Sequence, residues 1–111
     1  MKSISPSRYE MPRIGVDRSR IWVEYGPQAE ASFPWAEITR IVAGKIDGVI
    51  EVERVIEIEH ESGHFLEFNE RWPGFETAEA YFCSSLEGVF PEWVSMLDDA
   101  RLEDTVVIWE R

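Results

Sequence analysis

The sequence has little cysteine, few basic residues and no long hydrophobic run. Its single cysteine, Cys83, excludes an internal disulfide and favours a reducing, cytoplasmic location. A membrane-spanning helix needs about 20 consecutive apolar residues, and no stretch of the sequence approaches that length. The first residues, 1–6, also lack the apolar segment of a signal peptide. We therefore expect a cytoplasmic protein that does not bind membranes.

Basic residues are outnumbered by acidic ones, with 11 Lys and Arg against 22 Asp and Glu, for a formal net charge of −11. Residues 1–50 hold seven basic and six acidic residues, whereas residues 51–111 hold four basic and sixteen acidic ones. Such a surface repels phosphate backbones, so we expect no binding to nucleic acid. It favours a basic protein partner instead.

Hydrophobic residues are abundant, at 44% of the chain, and they include five Trp, six Phe and three Tyr. A chain of 111 residues with this composition is long enough to fold as one domain around its own core. Residues 1–19 differ, because polar residues dominate there and Pro6 and Pro12 interrupt them. We predict a flexible N-terminal arm over residues 1–19 and a single domain over residues 20–111.

Strand patterns fill the first half of this domain. β-branched and aromatic residues predict a strand over residues 20–25. The next apolar segment begins with a spacing of three and ends in β-branched residues. We interpret it as a short helical turn at residues 35–37 followed by a strand over residues 38–46. Asp47-Gly48 then predicts a turn.

The most specific pattern in the chain is a β-hairpin that turns at Glu61-Ser62-Gly63. From residue 49 to residue 59, apolar side chains alternate with glutamates, which is the period of a strand with one buried face. A three-residue loop ending in glycine then reverses the chain, because glycine adopts the left-handed conformation that such a loop requires. The alternation places Val52, Ile56 and Ile58 on the core face.

The loop length fixes the register of the hairpin, since a slip of one residue would turn every side chain to the other face. The predicted cross-strand pairs are His60 with His64, Ile58 with Leu66, Ile56 with Phe68 and Arg54 with Glu70. On the outer face, Glu57 is opposite Glu67, Glu59 is opposite Phe65, and Glu51 and Glu53 extend an acidic stripe. We predict that this outer face is negatively charged and open to a partner.

Two helices and a strand complete the domain. Apolar spacings of three and four predict a helix over residues 75–87 and a second helix over residues 92–100. A β-branched run predicts a last strand over residues 105–109. The residues expected to face the core are Phe75, Ala78, Phe82 and Leu86 in the first helix and Trp93, Met96 and Leu97 in the second. Strands followed by helices indicate an α+β domain with an antiparallel sheet.

Three segments carry a resemblance to a known family. They are the Trp-Ala-Glu-Ile step at residues 35–38, the Phe-Asn-Glu-Arg-Trp-Pro-Gly-Phe segment at residues 68–75 and the Ile-Trp-Glu-Arg end at residues 108–111. Over residues 20–111 the chain resembles a family of small uncharacterised bacterial proteins with a pleckstrin-homology-like domain. The resemblance implies a bent antiparallel sheet, an incomplete barrel packed on helix, and it supplies no binding residue. A second helix and a final strand depart from the single C-terminal helix of that fold, which leaves barrel closure open.

Two groups of residues have chemistry that could suggest a catalytic or metal site. His60 and His64, with Glu59 or Glu61, contain metal-ligand types, but a full ligand set is not apparent. Cys83, with a histidine and Asn69, contains the residue types of a cysteine nucleophile. A cysteine in the middle of a helix lacks the helix N-terminus that stabilises a thiolate. We predict no catalytic residue, no metal and no cofactor.

The predicted partner-binding residues are Glu57, Glu59, Glu67 and Trp72. Most of the tryptophans are expected in the core, but Trp72 precedes Pro73-Gly74, and aromatic residues at such positions often anchor interfaces. We expect a non-enzymatic protein-binding or assembly module that uses the acidic sheet face or a sheet edge.

Two other functions remain open from the sequence. One is an immunity- or antitoxin-type protein that neutralises a basic toxin, and the other is a small enzyme of unknown class. An exposed strand at residues 20–25 or 105–109 can also pair with its symmetry mate, which predicts a homodimer.

Overall fold

The structure is a computed structural model that describes residues 11–48 and 50–111. Short connections join its strands and helices. In chain order the elements are β1 (Arg13–Val16), β2 (Arg20–Gly26), β3 (Ala29–Pro34), a 3₁₀ turn (Trp35–Glu37), β4 (Ile38–Asp47), β5 (Val52–His60), β6 (Phe65–Asn69), α1 (Phe75–Ser85), α2 (Trp93–Asp99) and β7 (Val106–Glu110).

The first sheet contains β1, β2 and β3 in that order, and all pairs are antiparallel. β2 is the strand predicted over residues 20–25, and its Ile21 and Val23 are fully buried. The sequence pattern does not reveal β3, because its inward residues, Ala31 and Phe33, are only partly buried and alternate with polar or turn-forming residues. A strand with so little apolar contrast has no clear period.

The flexible arm predicted over residues 1–19 is wrong for residues 13–16, because these residues form β1. The Ile14 side chain is only 4% exposed, and its amide donates a hydrogen bond to the Pro73 carbonyl at 2.8 Å. A four-residue strand is too short for its alternation to be recognised in sequence. Residues 1–10 lie outside the described residues.

The second sheet has the order β6-β5-β4-β7, again antiparallel. The helical turn and the strand predicted after it are confirmed as the 3₁₀ turn and β4. The hairpin register is also confirmed, and Gly63 has the left-handed conformation, with φ of 95°. The observed pairs are Ile58 with Leu66, Ile56 with Phe68, Glu57 with Glu67 and Glu59 with Phe65.

The start of β5 differs from the prediction. Residue 49, the predicted first residue of this strand, lies outside the described residues. Val52, expected in the core, is 49% exposed, whereas Glu53, expected outside, is 6% exposed. The apolar core ends at Ile56, and beyond it Arg54 forms ion pairs at the rim, so Val52 has no apolar layer to join.

The two helices cover the core with the predicted faces, apart from one residue. Phe75, Ala78 and Phe82 of α1 are buried, as are Trp93 and Leu97 of α2. Met96 is wrong as a core residue, since its side chain is 52% exposed on a helix of only two turns. Helix α1 ends at Ser85, two residues before the predicted end.

The chain is therefore an α+β protein whose antiparallel strands lie in two bent sheets, and neither sheet closes within the described residues. Its two described helices are both far too short to span a membrane. The predicted dimer edge at residues 20–25 is wrong, because β2 is central in its sheet. β7 is an edge strand as expected, but the Phe90 amide already bonds the Ile108 carbonyl on its outer side at 2.8 Å.

Candidate functional site

The outer face of the second sheet contains a groove of about 380 Å³. We call it the acidic groove. It is formed by strands β4, β5 and β6 below and by the segment that precedes β7 along one side. Its lining residues are Arg40, Val42, Gly44, Lys45, Val55, Glu57, Glu59, Glu67, Leu102, Glu103, Asp104 and Thr105.

The floor of the acidic groove follows from the pairing of β4 with β5. Val42 is opposite Glu57, and Gly44 is opposite Val55. A side chain added at Gly44 would contact Thr105 at 3.7 Å and Val55 at 3.8 Å, so the absence of one keeps the depression open between them. The floor is apolar at its centre and acidic on the side that faces β6.

Three predicted partner-binding residues lie together in this groove. Glu57 is opposite Glu67, and Glu59 is two residues further along the same strand. Like charges placed directly across a sheet repel each other. Burial raises the pKa of the Glu57 carboxyl, and the neighbouring Glu59 and Glu67 raise it further. The groove thus holds a carboxylate whose negative charge is poorly compensated.

Of the two basic residues that line the groove, Lys45 donates a hydrogen bond to the Ala100 carbonyl at 2.6 Å, and Arg40 lies beside the carboxylate cluster. Its Nη1 is 3.7 Å from Glu59 Oε2, and its Nε is 3.9 Å from Glu110 Oε2. The Nε atom is shielded from solvent and has no hydrogen-bond partner among the described residues. Arg40 lowers the pKa of Glu57 only partly, because burial and the two glutamates outweigh it.

Glu53 does not belong to the groove, although the acidic stripe was expected to include it. Asn69 Nδ2 donates to Glu53 Oε1 at 2.7 Å, and Arg71 Nη1 donates to Glu53 Oε2 at 2.8 Å. These two donors hold the pKa of the Glu53 carboxyl below its usual value. The charge of Glu53 is satisfied within the chain and is not offered to a partner.

The histidines of the hairpin form a separate cluster. His60 Nε2 is 2.6 Å from Glu37 Oε1, and Ser62 Oγ is 2.7 Å from His60 Nδ1 and 2.9 Å from His64 Nδ1. The described residues hold no group of three His, Cys, Asp or Glu side chains that could bind a metal. His60 and His64 therefore have no third metal ligand among the described residues.

The order Ser62, His60, Glu37 resembles a nucleophile, a base and an acid. Acyl transfer also needs free backbone N–H groups to stabilise an oxyanion. The amides of Ser62, Gly63 and His64 all donate inside the loop, to His60 Nδ1, the His60 carbonyl and Ser62 Oγ. The contact of His60 with Glu37 connects the hairpin to the 3₁₀ turn before β4. The three loop amides are already bonded and are not available to an oxyanion.

Cys83 and Trp72 lie away from the groove. Cys83 is an exposed residue of α1, but partial removal of its thiol from water raises the pKa of that thiol, which opposes thiolate formation. The Asn69 side-chain amide donates its hydrogen bond to Glu53. Trp72 is half-buried against the hydrophobic core and does not line the groove.

Sequence reasoning found the three glutamates but missed Arg40 and the wall at residues 102–105. The glutamates follow from a local alternation in one hairpin. Arg40 could have been found only from the register between β4 and β5, and the turn predicted at Asp47-Gly48 does not give that register, because Asp47 is observed opposite Val52. Comparison of the chain with protein-family models, with curated proteins and with solved structures found no match.

Proposed function

We propose that this chain is a non-enzymatic protein-binding module that takes a basic segment of a partner protein into the acidic groove. The observation that carries this proposal is the cluster of Glu57, Glu59 and Glu67. A Lys or Arg side chain between them would offset the mutual repulsion and the burial that raise the pKa of Glu57.

The shape of the groove supports the same class of occupant. Val42 and Val55 give an apolar floor, and Glu103 and Asp104 add acidic groups on the opposite wall. Long basic side chains bury their aliphatic stems on apolar surface while their charged heads reach acidic groups. The apolar floor suits the aliphatic stem of such a side chain, and the acidic walls suit its charged head.

The experiment measures binding of a fluorescently labelled oligoarginine peptide by anisotropy. The triple variant Glu57→Gln, Glu59→Gln, Glu67→Gln keeps the shapes of the side chains and removes their charges. We expect its affinity to fall by about tenfold, equivalent to about 1.4 kcal/mol. The affinity of the unaltered protein should also fall with added salt, since the contacts are electrostatic.

The matched control removes the same number of charges elsewhere. Glu76, Glu87 and Glu92 are exposed on the helical side of the molecule, and their triple Gln variant has the same net charge as the groove variant. We expect the control variant to bind almost as well as the unaltered protein. Equal weakening by both variants would mean that net charge alone attracts the peptide, and the proposal would then be wrong.

An immunity- or antitoxin-type role is a second candidate, favoured by the concentration of acidic residues in residues 51–111. In that case the basic partner is a toxin whose activity is lost on binding. A toxin gene beside this one, and inhibition of its product by the purified chain, would support this function. We place either function in the cytoplasm, in keeping with the single Cys83.

A further inference from the structure

Strand β6 is one edge of the second sheet and also one border of the acidic groove. It pairs with β5 on one side, and no described strand pairs with it on the other. Phe65 is 56% exposed, and Glu67 is exposed beside it. This edge is therefore open to solvent next to the glutamate cluster.

The backbone of β6 has unused hydrogen-bonding groups along this edge. In an antiparallel pair, alternate residues direct their N–H and C=O toward the partner strand or away from it. The His60 amide bonds the His64 carbonyl at 2.8 Å, so the even-numbered residues of β6 face β5. The N–H and C=O groups of Phe65 and Glu67 point outward, and no described residue of this chain bonds them.

We infer that the basic segment binds as an additional β-strand on the open edge of β6, with its basic side chain beside Glu67. This inference rests on the proposed function and specifies how the partner is held. Strand addition gives affinity through main-chain hydrogen bonds and specificity through alternate side chains. An extended segment of a partner protein is the occupant, because the net charge of −11 disfavours a second copy of the same acidic chain.

The cross-strand rows of the sheet define the side chains that the segment needs. On the outer face, one row runs from Val42 through Glu57 to Glu67, and an added strand would extend it by about 4.8 Å. A Lys or Arg opposite Glu67 would complement that row. Two residues further along, the added strand faces Phe65, where an aromatic residue fits. The residue between them lies on the core side, next to Leu66, and is apolar.

The probe is the capped peptide Lys-Val-Arg-Val-Tyr-Val-Lys, which places Arg opposite Glu67 and Tyr opposite Phe65 in an antiparallel strand. Its control is the same peptide with the amides of Arg and Tyr N-methylated. The two peptides have the same side chains and charge, but the methylated one cannot bond the β6 carbonyls. We expect the methylated peptide to bind at least tenfold more weakly in a calorimetric or anisotropy titration.

Two variants of the protein test strand addition by changing β6 instead of the peptide. Glu67→Ala removes the carboxylate, and Glu67→Pro removes both the carboxylate and the outward-pointing N–H. Proline is tolerated on an edge strand where the N–H faces solvent, so pairing with β5 is retained. We expect Glu67→Ala to bind the peptide a few times more weakly than the unaltered protein and Glu67→Pro about tenfold more weakly than Glu67→Ala.

The outcomes separate this inference from the proposed function. If the methylated peptide binds as well as the unmethylated one, the groove accepts basic segments without strand addition, and the inference is overturned while the function stands. If neither peptide binds and oligoarginine also fails to bind, both the inference and the proposed function are overturned. Light scattering adds a further arm, because a dimer that Glu67→Pro converts to a monomer would show that a second copy occupies the edge, contrary to the inference.

Discussion

Glu57 interacts with both of the other glutamates of the cluster in the acidic groove. It is opposite Glu67 in the hairpin and opposite the apolar Val42 on its other side. Burial and its two acidic neighbours raise the pKa of the Glu57 carboxyl above the ordinary glutamate value of 4.5. The folded state therefore holds the Glu57 proton more tightly than the unfolded chain does. The contribution of Glu57 to protein stability therefore decreases as pH rises through the range just above 4.5, because ionised Glu57 is disfavoured only in the folded state.

Substitution of Glu57 by Gln removes this unfavourable ionisation. We predict that Glu57→Gln raises the free energy of unfolding at pH 7 by about 0.5 kcal/mol, the size of a like-charge pair across a sheet. The gain should decrease as pH falls through the range just above 4.5 and disappear below it, where Glu57 is protonated in both states. Urea unfolding at several pH values measures the effect. Glu76→Gln, on exposed helix surface, is the matched charge control, and an equal gain in that variant would contradict the prediction.

At the scale of the element, the β5–β6 hairpin depends on the conformation of one loop residue. Gly63 has φ of 95°, and an added Cβ atom would contact nothing within 4 Å. The cost of a side chain at Gly63 is therefore the cost of the left-handed backbone alone. This energetic cost arises within the hairpin loop and involves no tertiary contact.

We predict that Gly63→Ala lowers the free energy of unfolding by about 1 kcal/mol. Gly26 provides the control, because a Cβ atom there also meets nothing within 4 Å and its φ lies outside the left-handed range. Gly26→Ala should leave stability unchanged or raise it slightly by restricting the unfolded chain. Thermal unfolding of the two variants compares them. Equal destabilisation of both would mean that the loop conformation is not what Gly63 provides.

At the scale of the whole molecule, the first sheet is joined to the rest of the chain at the turn before α1. The Ile14 amide of β1 bonds the Pro73 carbonyl at 2.8 Å. Gly74, the next residue, has φ of 93°, and a Cβ atom there would lie 2.0 Å from the Ile14 carbonyl oxygen. Glycine is required at this position for its conformation and also because the β1 backbone approaches so closely.

We predict that Gly74→Ala is destabilising by about 3 kcal/mol, through backbone strain and displacement of β1 together. Gly88 is the matched control, since it has φ of 86° and open space around its Cβ position. Gly88→Ala should therefore cost only the backbone share, about 1 kcal/mol. Hydrogen exchange at β1 amides distinguishes the two, because only Gly74→Ala should expose them. Similar effects of the two substitutions would argue against the close approach of β1.

The sequence by itself determined the elements that a local period specifies. Alternation over β5 and the three-residue loop predicted the hairpin register, and with it the position of Glu57, Glu59 and Glu67 on one outer face. Helical spacing predicted the buried face of α1. These predictions held because side chains two residues apart in a strand, or three and four apart in a helix, share a face whatever surrounds them.

Only the tertiary structure decided what surrounds that face. Arg40 reaches the glutamates through the register of β4 with β5, and the wall at residues 102–105 reaches them because β7 pairs with β4 across a long separation in sequence. Hydrogen bonds from Asn69 and Arg71 to the Glu53 carboxylate removed that residue from the acidic stripe. No local period encodes which distant strand will be a neighbour. Thus the sequence specified an acidic strand face, and the packing of distant segments made it a groove.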